Sequence, residues 1–170
     1  MALPWFERNL TFGHPTVMLP FFLERQHGTS IRLAEKVKGI DDKTLTYKPN
    51  GKWSIKEVIG HLAEVDEISI KRIDEILSGA TTLSPAVFEP SDYNAKSIEE
   101  ILSLFQTTRQ AKVKILESLG KEELARSAIH SRLKVAMTLV DLAWFDAEHD
   151  DHHMVQINGI LAVLRNKNHH

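Results

Sequence analysis

The chain has 170 residues, 26% of them charged, a formal net charge of −2 with the two signs interspersed, and no cysteine. That length suits a single domain, 1–170, with its own core, and the charge pattern offers no basic footprint for nucleic acid or an anionic membrane. Without cysteine there is no disulfide, thiolate nucleophile or Cys-based zinc site, which leaves histidine and carboxylate as the strong ligands.

The opening residues 1–8 lack the basic start and apolar run of a signal peptide, and no apolar stretch approaches the length of a membrane span. A cytoplasmic protein is therefore expected. His169 and His170 read as tag-like residues and are set aside. Residues 1–18 mix Trp5, Phe6, Phe12, Gly13 and Pro15 too irregularly for one helix and are expected to form an arm packed on the body. A first helix is predicted over 20–38, opened by Pro20 and closed at Gly39. A connection with one short turn follows, through Asp41–Leu45 and the proline-glycine exit Pro49-Asn50-Gly51.

The second helix, 54–78, starts at the capping box Ser54/Glu57 and carries Ile55, Val58, Ile59, Leu62, Val65 and Ile73 at helical spacing. His61 lies on the flank of that stripe and Asp66 near its centre. Residues 80–96 show little periodicity and read as a long loop, a length that is often functional. A second box, Ser97/Glu100, opens a third helix over 97–119 with Ile101, Leu104, Phe105, Val113 and Leu116. Lys121–Leu124 reads as a further turn, and 126–137 as an irregular or strand-like connection. Thr138 and Asp141 then open the last helix, 138–165. Four long helices predict an all-α four-helix bundle, and the long loops predict at least one crossover.

The last helix carries the chemistry. Leu139, Leu142, Ala143, Ile157, Ile160, Leu161 and Leu164 form its apolar stripe, and Asp146, His149, Asp150, His153 and Gln156 interrupt that same stripe. Buried polar groups cost free energy unless something satisfies them. His149 and His153, four residues apart, project side by side and can share a cation. A three-ligand catalytic site needs one more donor from a facing helix, and His61 is the candidate. The competing readings are a carbonyl-bonded, half-buried His61 and a solvated His/Asp face for the other two. Asp150 occupies the place held by the catalytic carboxylate in H-E-x-x-H proteins, so it is a candidate general base or an orienting partner. Asp146 and Asp66 are further candidates for orienting the ligands, and His27 falls where it could approach the site. No di-iron carboxylate pattern, nucleophile elbow, phosphate-binding loop or dinucleotide fingerprint is present.

Trp53-Ser54-Ile55-Lys56-Glu57-Val58-Ile59-Gly60-His61-Leu62 resembles the W-S-x-x-E-x-x-G-H-L start of helix two in the DinB/YfiT-like family. Glu148-His149-Asp150-Asp151-His152-His153-Met154-Val155-Gln156-Ile157 resembles that family's E-H-D-x-H-H-x-x-Q-I signature, and Trp5-Phe6-Glu7-Arg8 and Tyr47-Lys48-Pro49 are also similar to its members. The resemblance implies an up-down-down-up bundle with one divalent metal on His61, His149 and His153. It also implies a tendency to dimerise, here a homodimer, and activities that include S-transfer with low-molecular-weight thiols, an isomerisation and presumed hydrolysis.

The leading expectation is a mononuclear metal enzyme acting on a small molecule, a thiol S-transferase or a hydrolase, with Zn or Ni first among ions and Fe or Mn behind them. A low-molecular-weight thiol is a candidate cosubstrate. The alternative is a non-catalytic metal-binding or interaction protein of the stress response, with a structural ion held by a fourth protein ligand such as His27 or an aspartate. A metal-free hydrogen-bonded network is the remaining reading.

Overall fold

The computed structural model describes residues 3–89 and 91–167, the last two as backbone only, so His169 and His170 lie outside the described residues. In chain order the elements are α1 (Leu19–Val37), the single turn α2 (Asp42–Leu45), α3 (Ile55–Leu77), α4 (Ile98–Glu117), the turn α5 (Lys121–Leu124), strands β1 (Ser127–Ile129) and β2 (Ala136–Thr138), and α6 (Leu139–Lys167). The four long helices each lie within one or two residues of the ranges read from the sequence.

Local chemistry explains where these helices begin. Pro20 sits in the first turn of α1, where its missing N–H is no loss. Both bonds of the capping box form at α3, where the Glu57 N–H donates to Ser54 Oγ at 3.1 Å and the Ser54 N–H to Glu57 Oε2 at 2.8 Å. Ser97 and Glu100 repeat the arrangement at α4. At α6 the same reciprocal pair joins Thr138 and Asp141. The second oxygen of Asp141 accepts the N–H groups of Gly13 and His14, both at 2.9 Å, so the helix cap also fastens the N-terminal arm.

In the bundle α1 and α3 each touch both α4 and α6. Cross-helix contacts give the directions. Gln26, Thr29 and Lys36 of α1 meet Ala143, Asp150 and Asn158 of α6, with both chains ascending, so these two helices are parallel. Lys56 at the start of α3 donates to the carbonyl of Lys96 at the start of α4, and Asp66 meets Arg109 farther along, so α3 and α4 are also parallel. Leu19, Phe22 and Leu23 at the start of α1 share a cluster with Val113 and Leu116 near the end of α4, while Leu33 and Val37 near its end share one with Ile101 and Phe105 near the start of α4, which makes α1 and α4 antiparallel. The result is an up-down-down-up bundle. A parallel neighbour needs a connection that returns the length of the helix, and the chain between α3 and α4 does so. Ser84 bonds Glu75, Phe88 lies on His61, Tyr93 bonds Glu64 and Asn94 bonds Ser54. Between α4 and α6, β1 and β2 pair antiparallel, with Ala128 opposite Met137, as a small hairpin at the far end.

The apolar core is divided into two clusters. One gathers Phe22, Leu23, Ile73, Ile76, Val113, Leu116 and Leu142; the other gathers Leu33, Ile55, Ile59, Leu62, Ile101, Phe105 and Ile157. Between them lies a layer of buried charge. Arg109 donates to both oxygens of Asp66 (2.8 and 3.1 Å) and both of Asp150 (2.6 and 2.9 Å), while Lys112 bonds Asp66 and, at 2.9 Å, Asp146. Burial opposes the charge of Arg109, but the two carboxylates more than reverse that effect and raise its pKa.

Candidate metal centre

His61 stands in the second turn of α3, and His149 and His153 are one turn apart in the middle of α6, which runs antiparallel beside it. One ring nitrogen from each comes within 4.8 Å of the other two, and among the described residues this is the group of histidines and acids that converges in this way. His149 Nε2 and His153 Nε2 face each other at 3.1 Å.

The surroundings fix the rings and hold them neutral. The Gln156 side-chain oxygen lies 2.7 Å from His153 Nδ1; a carbonyl oxygen can only accept, so the proton sits on Nδ1 and Nε2 presents its lone pair to the cluster. His149 Nδ1 is buried without a hydrogen-bond partner among the described residues. Burial lowers the pKa of His61 to about 3, with neighbouring His153 adding to the effect, and that of His153 to about 4. Burial likewise pushes His149 well below the ordinary value. Neutral imidazoles with converging lone pairs fit a divalent cation.

Aromatic rings enclose the trio. Trp53 stands against His61 and His153, Phe88 against His61, and Trp5 of the arm against His149 at 5.0 Å. Gly60 permits part of this cage. A Cβ there would lie 2.5 Å from the Tyr93 ring, so only glycine lets Tyr93, and the loop it anchors, lie flat on α3.

The histidines form one end of a cavity of about 420 Å³. His61, Val65, Ile68 and Arg72 of α3 share one wall, opposite Phe145, Asp146, His149 and His152 of α6. The α3–α4 connection, the hairpin turn and the arm supply the remainder through Phe88, His130, Arg132, Trp5 and Phe6.

A match to the family model of the DinB superfamily covers residues 27–157, most of the chain and all three histidines. The chain belongs to the DinB superfamily. Among solved structures it is similar to YfiT from Bacillus subtilis, reported as a probable metal-dependent hydrolase with an unusual four-helix bundle topology. The TM-score is 0.80 at 19% identity, over 92% of this chain and 93% of that one. This likeness establishes the shared bundle. Among curated proteins no sequence matches.

Several acidic and histidine residues flagged in the sequence are occupied elsewhere. Asp150 was expected as a general base or an orienting partner; its two oxygens are bonded to Arg109 and Thr29, which ties it into the charged layer. Asp66 is bound by Arg109 and Lys112 in the same layer. Asp146 does line the cavity, although Lys112 holds it; burial raises its pKa. His27 is exposed and faces Glu117 at 3.4 Å, so it approaches neither the trio nor the cavity.

Other residues of the charged layer and around the histidines were not singled out in the sequence. Arg109 and Lys112 continue the α4 stripe of Ile101, Phe105 and Val113, so the interrupted-stripe signal that marked α6 was present in α4 as well. Trp53 and Phe88 left no such signal, because ring contacts with His61 depend on the path of a loop. No helix among the described residues is long and apolar enough to cross a membrane.

Proposed function

We propose that this protein is a mononuclear metal-dependent hydrolase in which His61, His149 and His153 hold one divalent ion, Zn²⁺ or Ni²⁺, at the wall of the cavity. One observation carries the reading: three neutral imidazoles from two helices converge within 4.8 Å where a cavity meets them. The hydrolytic reaction is put first because the similar fold of YfiT is reported as that of a probable metal-dependent hydrolase. A divalent ion on three neutral imidazoles supplies Lewis acidity toward a water, a thiol or a carbonyl oxygen.

The chain's own residues provide the rest. Gln156 keeps the His153 proton on the outer nitrogen. Trp5, Phe88 and Trp53 flank the histidines with apolar rings, and Phe145, Val65 and Ile68 give the substrate an apolar wall. With Asp150 held by Arg109, the proton acceptor is assigned to His152. Its half-buried ring lines the cavity 5.2 Å from His153, has no hydrogen bond to a described residue, and is kept neutral by burial and by nearby Arg8.

The test is turnover by metal-reconstituted protein on a panel of esters and amides, beside thiol-dependent conjugation of electrophiles. Hydrolysis that is absent from His61→Ala and lowered about 100-fold in His152→Asn at unchanged metal content supports the assignment. Thiol conjugation without hydrolysis would replace the reaction class with S-transfer and keep the metal; inactivity in both would remove the enzyme.

A further inference from the structure

The cavity has a second polar end, at Arg72. This residue is 7% exposed, and its Nε has no hydrogen-bond partner among the described residues. The carboxylates near it are already engaged. Glu75 accepts from the Ser84 N–H at 3.0 Å and from its hydroxyl, and Asp146 accepts from Lys112. A buried guanidinium with an unused N–H is costly unless a ligand supplies the acceptor.

Two neighbours extend this end. Arg132, on the hairpin turn, stacks its guanidinium 3.5 Å from the centroid of the Phe6 ring and borders the same cavity. His130 accepts the N–H groups of Arg132 and Leu133 on Nδ1, at 3.2 and 3.1 Å, so its proton is on Nε2 and the ring is a fixed donor. Burial, with Arg72 and Arg132 adding to it, lowers the His130 pKa to about 4. Arg72 follows His61 by eleven residues on the same wall of α3, which is about 16 Å of helix rise. Arg72 and the histidines line the same cavity. Val65 and Ile68 lie between them, and Phe145 faces them.

We propose that Arg72, with Arg132 and His130, is a carboxylate-binding subsite, and that the cavity takes organic acids whose apolar body lies along Val65, Ile68 and Phe145 and whose other end reaches the histidine trio. A carboxylate suits Arg72 because Nε–H and an adjacent Nη–H form a planar fork matching its two oxygens. The inference names a substrate class for the proposed metal site and rests on that reading for the reaction, but the subsite itself needs no metal.

The test compares 4-phenylbutyrate with its neutral amide, 4-phenylbutyramide, by titration calorimetry on full-length protein, both chelator-treated and metal-reconstituted. The expected result is a preference for the acid of about ten- to hundred-fold in both forms, the scale of a charge-assisted hydrogen bond. Arg72→Gln should abolish that preference, Arg72→Lys should restore part of it, and Arg132→Gln should weaken it. Acid and amide binding equally, or neither binding, to wild-type protein overturns the subsite without recourse to any variant. A preference that survives Arg72→Gln but disappears on chelation overturns it too, and places the acid on the metal. Tighter binding of 3-phenylpropyl phosphate than of the acid overturns the carboxylate assignment. If the preference holds while no metal can be loaded, the subsite stands and the metal centre falls.

Discussion

Two sets of buried polar groups lie within one turn of each other on α6, and they are satisfied in opposite ways. In the charged layer Asp66, Asp146 and Asp150 face Arg109 and Lys112, and each carboxylate has a cationic donor within the protein. In the histidine cluster two Nε2 atoms face each other at 3.1 Å, and His149 Nδ1 has no hydrogen-bond partner among the described residues. Charge that the fold itself compensates is structural. Lone pairs that converge without an internal donor mark a place for something the chain does not contain. The contrast explains why Asp150, which occupies a catalytic position by spacing, belongs to the first set.

The sharpest way to break the comparison is to treat both sets alike. Arg109→Ala leaves Asp66 and Asp150 buried without their main cation and should cost about 3–5 kcal/mol in urea unfolding of the metal-free protein. His149→Leu should cost far less, since it removes a buried Nδ1 that has no hydrogen-bond partner among the described residues. Equal costs would dissolve the distinction.

Gly60→Ala comes next. The new methyl would meet the Tyr93 ring at 2.5 Å, so a loss of about 1–3 kcal/mol is expected from overpacking, with weakened metal binding because Phe88 moves with the displaced loop. A wild-type melting curve would show that the Tyr93 contact is not what positions the connection.

Acid tests the histidine set directly. His61 and His153 titrate at about 3 and about 4 in the folded chain against an ordinary value of 6.5. Between those values the unfolded chain binds more protons, so stability rises with pH and is lost as pH falls from about 6.5 toward about 4. The slope approaches about 1.4 kcal/mol per pH unit for each histidine. Urea melts of metal-free protein between pH 7 and pH 5 should show this loss, and His61→Phe/His153→Leu should flatten it; an unchanged slope would move the acid sensitivity elsewhere.

The smallest expected change in stability is that of Gln156→Ala, within about 1 kcal/mol. Its metal affinity should nonetheless drop about 10- to 100-fold, the usual effect of losing an orienting partner. A fall in stability with no change in affinity would make Gln156 a packing residue.

Much of this was legible in the sequence. The capping residues Ser54, Ser97 and Thr138 marked three helix starts because their bonds are local, and polar residues on the α6 stripe marked the site because helical periodicity is also local. Gly60-His61 could be paired with the α6 histidines because facing helices in a bundle share one core. Partner choice was not legible. Whether Asp150 turns toward His153 or toward Arg109 depends on α4 packing beside α1 and α3, and spacing within α6 contains nothing about that. His27 shows the same limit, since one shift around α1 separates the core from solvent. Arg72 could not be distinguished from an ordinary flanking arginine until the α3–α4 connection had closed the cavity over it.

The most direct measurement is elemental analysis of tag-free protein, reconstituted and desalted, for wild type, His61→Ala, His153→Ala and, as a control, the exposed His27→Ala. The account predicts about one divalent ion per chain in wild type and His27→Ala, and none in the other two. An ion retained by both His61→Ala and His153→Ala, or none in reconstituted wild type, would contradict it.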